Sequence, residues 1–143
     1  MARIKESILI QADLQKTYRA AEKYPLFVEG FSKKEILRMD TRNLKIRAQN
    51  KFFTIPLTWE GKGIKHQNER IKWIQTHGLL RGLTAKWTFL QHNQNVTEVI
   101  INGRFNGLSL QGKIIEILAP FLIANTTKKI LMSLKKIVEQ EKR

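Results

Sequence analysis

The first pattern in the chain is an alternation of apolar and polar positions. From Arg3 to Gln11 isoleucines recur at every second or fourth residue, which predicts a strand. Asp13 follows where an N-cap is expected, because its carboxylate can accept hydrogen bonds from the free amides of a first helical turn. Helical spacing then predicts a helix with an apolar stripe formed by Leu14, Thr17, Tyr18 and Ala21. The proline at position 25 ends this helix near Tyr24 and suits the start of a second short helix, from Pro25 to about Glu29.

From Phe31 to Phe105 the apolar residues recur with a period of two, which predicts about six strands in a meander. Pro56 indicates an edge or a bulge, because proline has no amide hydrogen to donate. We interpret Gly61–Gly63 as a turn and Ile64–Gln75 as a single strand. Strands joined by short turns form an antiparallel sheet, and one face of such a sheet must be covered.

The end of the chain, from Gly112 to Arg143, has helical spacing and predicts one long helix ending near residue 140. Pro120 lies inside this segment, so we expect a kink or a break there. The part before Pro120 is apolar almost all round, which is typical of a helix that is buried or touches an apolar molecule. This helix is the cover that the sheet needs.

The charge is the unusual feature of the composition. The chain has 143 residues, suited to one domain, and 26 lysines and arginines against 12 acidic residues, a formal net charge of +14. Such a field attracts nucleic acid, an anionic membrane or an acidic protein, or it serves only solubility. The basic residues show some order, since a first set shares one strand face and a second follows closely. These sets are Lys45, Arg47 and Lys51, then Lys62, Lys65, Arg70 and Lys72.

Several kinds of chemistry lack the residues that they need. The chain has no cysteine, which excludes disulfides, thiolate nucleophiles and cysteine-based zinc sites. Its three histidines, at 66, 77 and 92, match no metal-binding spacing. The acid–base candidates are His66, Glu60, Glu69 and Arg70, all expected near one turn, and we interpret them as a solvated strand end. No signal-peptide pattern opens the sequence, so we expect a cytoplasmic protein.

Three segments carry a resemblance to a known family. They are ESILIQADLQKTYRAAEKYPLF (Glu6–Phe27), GLLRGLTAKWTFLQHNQNVTEVIINGRF (Gly78–Phe105) and ILAPFLIANTTKKILMSLKKIVEQ (Ile117–Gln140). In this order they resemble the polyketide cyclase/dehydrase branch of the START-like, helix-grip superfamily (SRPBCC). Within that branch the chain is similar to coenzyme Q-binding and ribosome-association START-like proteins.

The resemblance implies an α+β helix-grip fold in the order β-α-α-β(5–6)-α. A curved antiparallel sheet of six to seven strands would surround the long C-terminal helix, and residues 1–143 would form one ligand-binding domain. It also implies a cavity between sheet and helix, with its mouth near Phe27 and Phe31. The residues that we expect to contact a ligand are Phe27, Phe31, Trp59, Trp73, Trp87, Phe105 and Phe121. The competing interpretation is that these aromatic side chains simply fill the core.

The function that follows is binding of a hydrophobic small molecule, a lipid, a quinone or a polycyclic, polyketide-like compound, by a carrier, chaperone or sensor. Two other classes stay open: an enzyme of the polyketide cyclase or aromatase type, and a basic ribosome- or RNA-binding module. We expect binding rather than catalysis, with no catalytic residue, metal or cofactor. The basic face would meet an anionic membrane surface or RNA.

Overall fold

The structure is a computed structural model that describes residues 2–23, 31–52, 55–78, 81–105 and 110–140. For residues 2, 31, 50–52, 55–57 and 110–123 it describes the backbone alone. The short helix predicted from Pro25 to Glu29 lies outside the described residues.

Seven strands form one antiparallel sheet. They are β1 (Ala2–Ile10), β2 (Phe31–Met39), β3 (Asn43–Phe52), β4 (Ile55–His66), β5 (Arg70–His77), β6 (Thr84–Asn93) and β7 (Val96–Phe105). Their order across the sheet is β1-β7-β6-β5-β4-β3-β2. The predicted meander is therefore confirmed for β2 to β7, and β1 joins it beside β7 with Ile8 opposite Val99.

Two helices are described, α1 (Leu14–Ala21) and α2 (Leu110–Gln140). The predicted N-cap of α1 is confirmed, because the Lys16 amide donates to Asp13 Oδ1 over 2.7 Å. Helix α2 runs through Pro120 without ending, so a break at that position was a wrong expectation. Proline removes one backbone donor, and in a helix of 31 residues the loss of one hydrogen bond does not end the element.

Helix α2 packs on β1, β7 and α1. Near its C-terminal end, Lys135 Nζ donates to the Leu9 carbonyl over 2.8 Å, and Glu139 Oε1 accepts from the Gln11 amide over 2.9 Å. Ile10, Val99, Leu134 and Val138 are fully buried in the same core. The last turns of α2 are thus fixed to the end of β1, which places the helix along one side of the sheet.

The predicted turn at Gly61–Gly63 is wrong, because β4 continues through both glycines to His66. Gly61 faces the indole of Trp73, and a Cβ added at Gly61 would lie less than 3.0 Å from three ring atoms. Glycine is therefore needed inside the strand to let the ring approach the backbone, as a strand glycine often does.

The predicted single strand from Ile64 to Gln75 is also wrong. A turn over residues 67–69 separates β4 from β5, and Asn68 adopts a left-handed conformation there, with φ of 61°. Asparagine tolerates that conformation better than most residues, which explains the turn. Pro56 pairs with Lys51 of β3, and among the described residues the register of β4 with β5 begins at Glu60, which agrees with the predicted edge position.

Candidate functional site: the tryptophan face of the sheet

One face of the sheet, which we call the inner face, carries the core and three tryptophans. Trp59 lies on β4, Trp73 on β5 and Trp87 on β6, and each is 6–7% exposed. Trp73 lies opposite Gly63 on one side and Ala85 on the other. Because Gly63 and Ala85 have small side chains, the Trp73 ring can extend over both neighbouring strands. Three indoles therefore fit on adjacent strands.

Trp73 is the centre of this group. Its ring stands nearly perpendicular to that of Trp59, with an interplanar angle of 84° and centroids 6.2 Å apart. Its Nε1 donates a hydrogen bond of 3.0 Å to Oε1 of Gln75, which is itself buried. Edge-to-face aromatic pairs are favourable, and the hydrogen bond fixes the direction of the indole.

A buried ion pair lies on the same face. Lys65 of β4 faces inward with its side chain 3% exposed, and its Nζ lies 3.4 Å from Oε1 of Glu22, whose side chain is 14% exposed. Glu22 follows α1 directly, so α1 brings this carboxylate over the sheet. Either of these buried charges would strongly destabilise the folded protein without the other, so the pair must be kept together.

Tyr18 of α1 belongs to the same polar group. It is fully buried, its ring meets Phe89 edge-on at 5.1 Å, and its hydroxyl has no hydrogen-bond partner among the described residues. Burial, together with the negative charge of Glu22, raises the pKa of Tyr18 to about 12. The hydroxyl therefore stays protonated and can only donate or accept a hydrogen bond at neutral pH.

The predicted ligand-contacting residues fall into two groups. Trp59, Trp73, Trp87 and Phe105 are all buried, and the three tryptophans belong to one core cluster. Phe27 lies outside the described residues, and the side chains of Phe31 and Phe121 do as well. Sequence reasoning missed Lys65 and Gln75 as inner-face residues. The pattern that could have identified them is their alternation with Ile71 and Trp73. It was missed because the turn between β4 and β5 was not recognised.

The four acid–base candidates do not meet at one turn, which corrects that prediction. His66, Glu69 and Arg70 surround the β4–β5 turn, whereas Glu60 lies opposite His77 at the other end of the β4–β5 pairing. There its carboxylate is 3.2 Å from Lys45 Nζ and 3.3 Å from Arg47 Nη2.

This environment decides the charge of Glu60. Burial alone would raise the pKa of the carboxyl, but the hydrogen bonds and charges of Lys45 and Arg47 outweigh burial and lower it. Glu60 is thus a fixed anion between two cations, and it is a poor proton acceptor. Within the described ranges there is also no group of three or more histidine, aspartate or glutamate residues that could hold a metal ion.

The basic residues also divide between the two faces. Lys45, Arg47, Lys62 and Lys72 are exposed on the outer face, as their alternation predicts. Lys65 is the exception, because it is buried on the inner face, so it does not belong to the basic surface. The side chain of Lys51 lies outside the described residues.

The comparisons with known proteins agree with this architecture. The sequence profile of the family described as "Polyketide cyclase / dehydrase and lipid transport" matches residues 16–133. The chain belongs to this family. The predicted polyketide cyclase/dehydrase family is thereby confirmed, and the predicted START-like fold agrees with the solved structures that follow. No curated protein sequence matches the chain.

Several solved structures share the fold of this chain. The protein TTHA0849 from Thermus thermophilus has a TM-score of 0.85 at 15% identity, covering 99% of this chain and 100% of its own. The Zhui aromatase/cyclase from Streptomyces sp. R1128 has a TM-score of 0.83 at 11% identity, covering 99% and 96%. A START superfamily protein from Mycobacterium smegmatis has a TM-score of 0.75 at 14% identity, covering 96% and 97%.

The TM-scores of these structures show that the fold is shared. Among the helix residues that the structure describes, no helix is long and apolar enough to cross a membrane.

Proposed function

We propose that the protein binds a hydrophobic small molecule between the inner face of its sheet and α2, as a carrier, chaperone or sensor. The observation that carries the proposal is the row of Trp59, Trp73 and Trp87 on three adjacent strands of the inner face. Membership of a family whose description includes lipid transport supports the same function. The binding unit in this proposal is the whole chain, residues 1–143, as one domain with a sheet that curves around α2.

The position of α2 supports room for a ligand. In the part of α2 that the structure describes, the main sheet contacts are with β1 and β7, whereas the tryptophans lie on β4, β5 and β6, one to three strands away from β7. Phe27, Phe31, Phe105 and Phe121 complete the proposed lining, with the mouth at Phe27 and Phe31. Ligand pockets are mostly apolar with a few polar groups that fix orientation, and Gln75 supplies one here.

The chemistry of this lining favours a flat or extended apolar molecule. Indole rings offer large apolar faces for a quinone, a polycyclic compound or a lipid chain. The Gln75 amide can donate to one carbonyl or hydroxyl of such a ligand, next to the Trp73 ring that it already holds. Transfer of carbon surface from water should give a negative heat-capacity change on binding.

The test combines native mass spectrometry of the purified protein with thermal melting. We expect a co-purified hydrophobic molecule, and a rise in Tm with a quinone or a fatty acid. A ligand at 100 times its Kd stabilises by about 2.7 kcal/mol, or roughly 5–10 °C in a domain of this size.

Variants then separate a binding role from a packing role. Trp73→Phe and Trp87→Phe should keep the fold and reduce the ligand-induced rise in Tm. The control is Val138→Ala. Val138 is fully buried near the C-terminal end of α2, where the helix is fixed to the end of β1, so this variant should lower Tm and keep the ligand-induced rise. If no apolar ligand shifts the wild-type Tm and nothing co-purifies, the aromatic residues are plain core and the proposal fails.

A second candidate is a polyketide cyclase or aromatase activity, favoured by the buried Lys65–Glu22 pair beside Tyr18. Proton transfer in such a reaction needs positioned ionisable groups in an apolar site. Incubation with a short poly-β-ketone thioester would show mass loss of one water per aldol condensation and dehydration. The Lys65→Met variant should abolish that loss, and an unchanged rate in the variant would exclude the pair from catalysis. The cytoplasmic location stays a prediction from the sequence.

A further inference from the structure

The outer face of the sheet carries a groove whose cationic lining lies outside the proposed ligand site, although the two share Trp73. It has a volume of about 450 Å³ and runs across β4, β5, β6 and β7. Four cationic side chains and two isoleucines characterise its lining: Lys62, Lys72, Lys86, Arg104, Ile64 and Ile74. These six residues, which we call the basic groove, come from four consecutive strands that are adjacent in the sheet.

The cations of the basic groove are not neutralised within the part of the chain that the structure describes. Among those residues, no carboxylate lies within ion-pair distance of Lys62, Lys72, Lys86 or Arg104. Glu60, which lies two residues before Lys62 on β4, is already paired with Lys45 and Arg47 of β3. The positive charge of the groove is therefore open to an external anion.

The sheet register places like charges directly opposite each other. Lys72 lies opposite Lys86, and Arg104 lies opposite Arg3 of β1. Like charges in opposed positions destabilise a sheet. A free protein that keeps this arrangement is less stable than it could be, and a bound anion would remove the conflict.

The isoleucines indicate what kind of anion fits. Ile64 is 54% exposed and lies opposite Lys72, while Ile74 is 40% exposed and lies opposite Lys62. Lysine and isoleucine thus alternate on two neighbouring strands, so each charge has hydrocarbon beside it. A molecule with an anionic group joined directly to hydrocarbon matches this pattern, as an anionic phospholipid does.

RNA matches the basic groove less well. Proteins that bind single-stranded nucleic acid combine cations with exposed aromatic rings on which bases stack. The lining includes the aromatic residue Trp73, but this side chain is only 7% exposed and its ring packs against Trp59 on the inner face, so little of the ring is open to a base. Phosphate contacts alone would use the lysines and leave both isoleucines in water.

We propose that the basic groove docks the protein on an anionic phospholipid bilayer. Lipid phosphates would lie among Lys62, Lys72, Lys86 and Arg104, and Ile64 and Ile74 would meet the glycerol and upper acyl region. Basic residues are attracted to anionic lipid surfaces, and lysine stems lie along apolar material while their ammonium groups stay at phosphate level. This docking does not depend on the proposed ligand in the interior.

The test is co-sedimentation with vesicles of phosphatidylcholine containing 30% phosphatidylglycerol, an amount chosen as a roughly physiological anionic content. Lys72→Gln/Lys86→Gln should reduce the partition coefficient about 25-fold, from about fivefold for each cation near the surface. The matched control is Lys23→Gln/Lys129→Gln, which removes the same charge from exposed positions outside the sheet and should change binding less than twofold. Equal losses in both variants would overturn the proposal, because binding would then follow net charge alone.

Two further measurements make the result specific. In the absence of vesicles, Lys72→Gln/Lys86→Gln should have a Tm at or above that of the wild type, which shows that the variant folds and that the like charges were in conflict. Ile64→Thr/Ile74→Thr, with the charges intact, should weaken vesicle binding and leave binding to polyuridylate unchanged. If the isoleucine variant binds vesicles like the wild type, or if pure phosphatidylcholine vesicles bind equally well, the lipid assignment is wrong.

Discussion

Replacing Gly61 by alanine would test whether Trp73 determines the path of β4 across the sheet. The new Cβ would lie less than 3.0 Å from three atoms of the Trp73 ring, a distance that real Cβ contacts essentially never show. The ring cannot move freely, because its Nε1 is bonded to Gln75 and its face meets Trp59. Either the indole or the strand must shift.

Two opposing effects set the magnitude. Alanine in place of a strand glycine gains about 0.5–1 kcal/mol from the smaller entropy of the unfolded chain. Overpacking of a buried site costs about 1–3 kcal/mol, and the short contacts at Gly61 place it towards the upper end. We expect a net loss of about 1–2 kcal/mol in the free energy of unfolding, and a Tm roughly 3–8 °C lower.

Gly63→Ala is the matched control on the same strand and face. Its Cβ would meet Ile71 Cγ2 at 3.2 Å and Trp73 Cε3 at 3.4 Å, which is tight and can be relieved by small adjustments. The change in the free energy of unfolding should stay within about 0.5 kcal/mol, since the entropy gain offsets the strain. Urea unfolding gives both free energies, and near-ultraviolet circular dichroism reports whether the indole has moved.

The double variant Gly61→Ala/Trp73→Leu completes the experiment. Leucine removes the part of the ring that the new Cβ would overlap, so the double variant should be no less stable than Trp73→Leu alone. The coupling should be about 1–3 kcal/mol, as for residues in direct contact. The steric reasoning about β4 is wrong if Gly61→Ala lowers stability no more than Gly63→Ala does. It is also wrong if the effects of Gly61→Ala and Trp73→Leu are additive in the double variant.

Three further predictions concern α1 and the residues that it brings to the sheet. Asp13→Ala should lower the free energy of unfolding by about 1 kcal/mol in urea titrations, because the Lys16 amide loses its acceptor, and Asp13→Asn should recover most of it. The pKa of Tyr18 is raised to about 12, so its contribution to stability is complete below pH 10 and falls as the pH rises towards 12. Tyr18→Phe should flatten this loss in melts between pH 8 and 12 and be neutral or stabilising at pH 7, and matching alkaline curves for both proteins would contradict the assignment. Glu22→Gln should lower the free energy of unfolding by about 3–5 kcal/mol because it leaves Lys65 buried without its counter-charge, and Glu22→Gln/Lys65→Met should restore most of that stability. A Glu22→Gln variant as stable as the wild type would show that the pair is unimportant for stability.

The order of elements could be predicted from the sequence because the relevant signals are local. Alternation marked β1 and the meander, and the spacing of Tyr18 and Ala21 marked α1 together with its cap at Asp13. The inward parity of Trp73, Trp87 and Phe105 was predicted correctly for the same reason. Once a strand is recognised, its period of two assigns each side chain to a face.

The tertiary structure determined those features for which the local sequence pattern gives no information. A glycine has no side chain to show a face, so Gly61 and Gly63 suggested a turn until the Trp73 ring from the next strand required them within β4. The inward position of Lys65 depends on Glu22, a partner 43 residues away in the sequence. The basic groove joins Lys62 to Arg104 across four strands, and only the register of the sheet brings them together. Periodicity determines which side chains share a face of one strand, whereas the neighbours across strands are fixed by hydrogen-bond register, which depends on the whole folded chain.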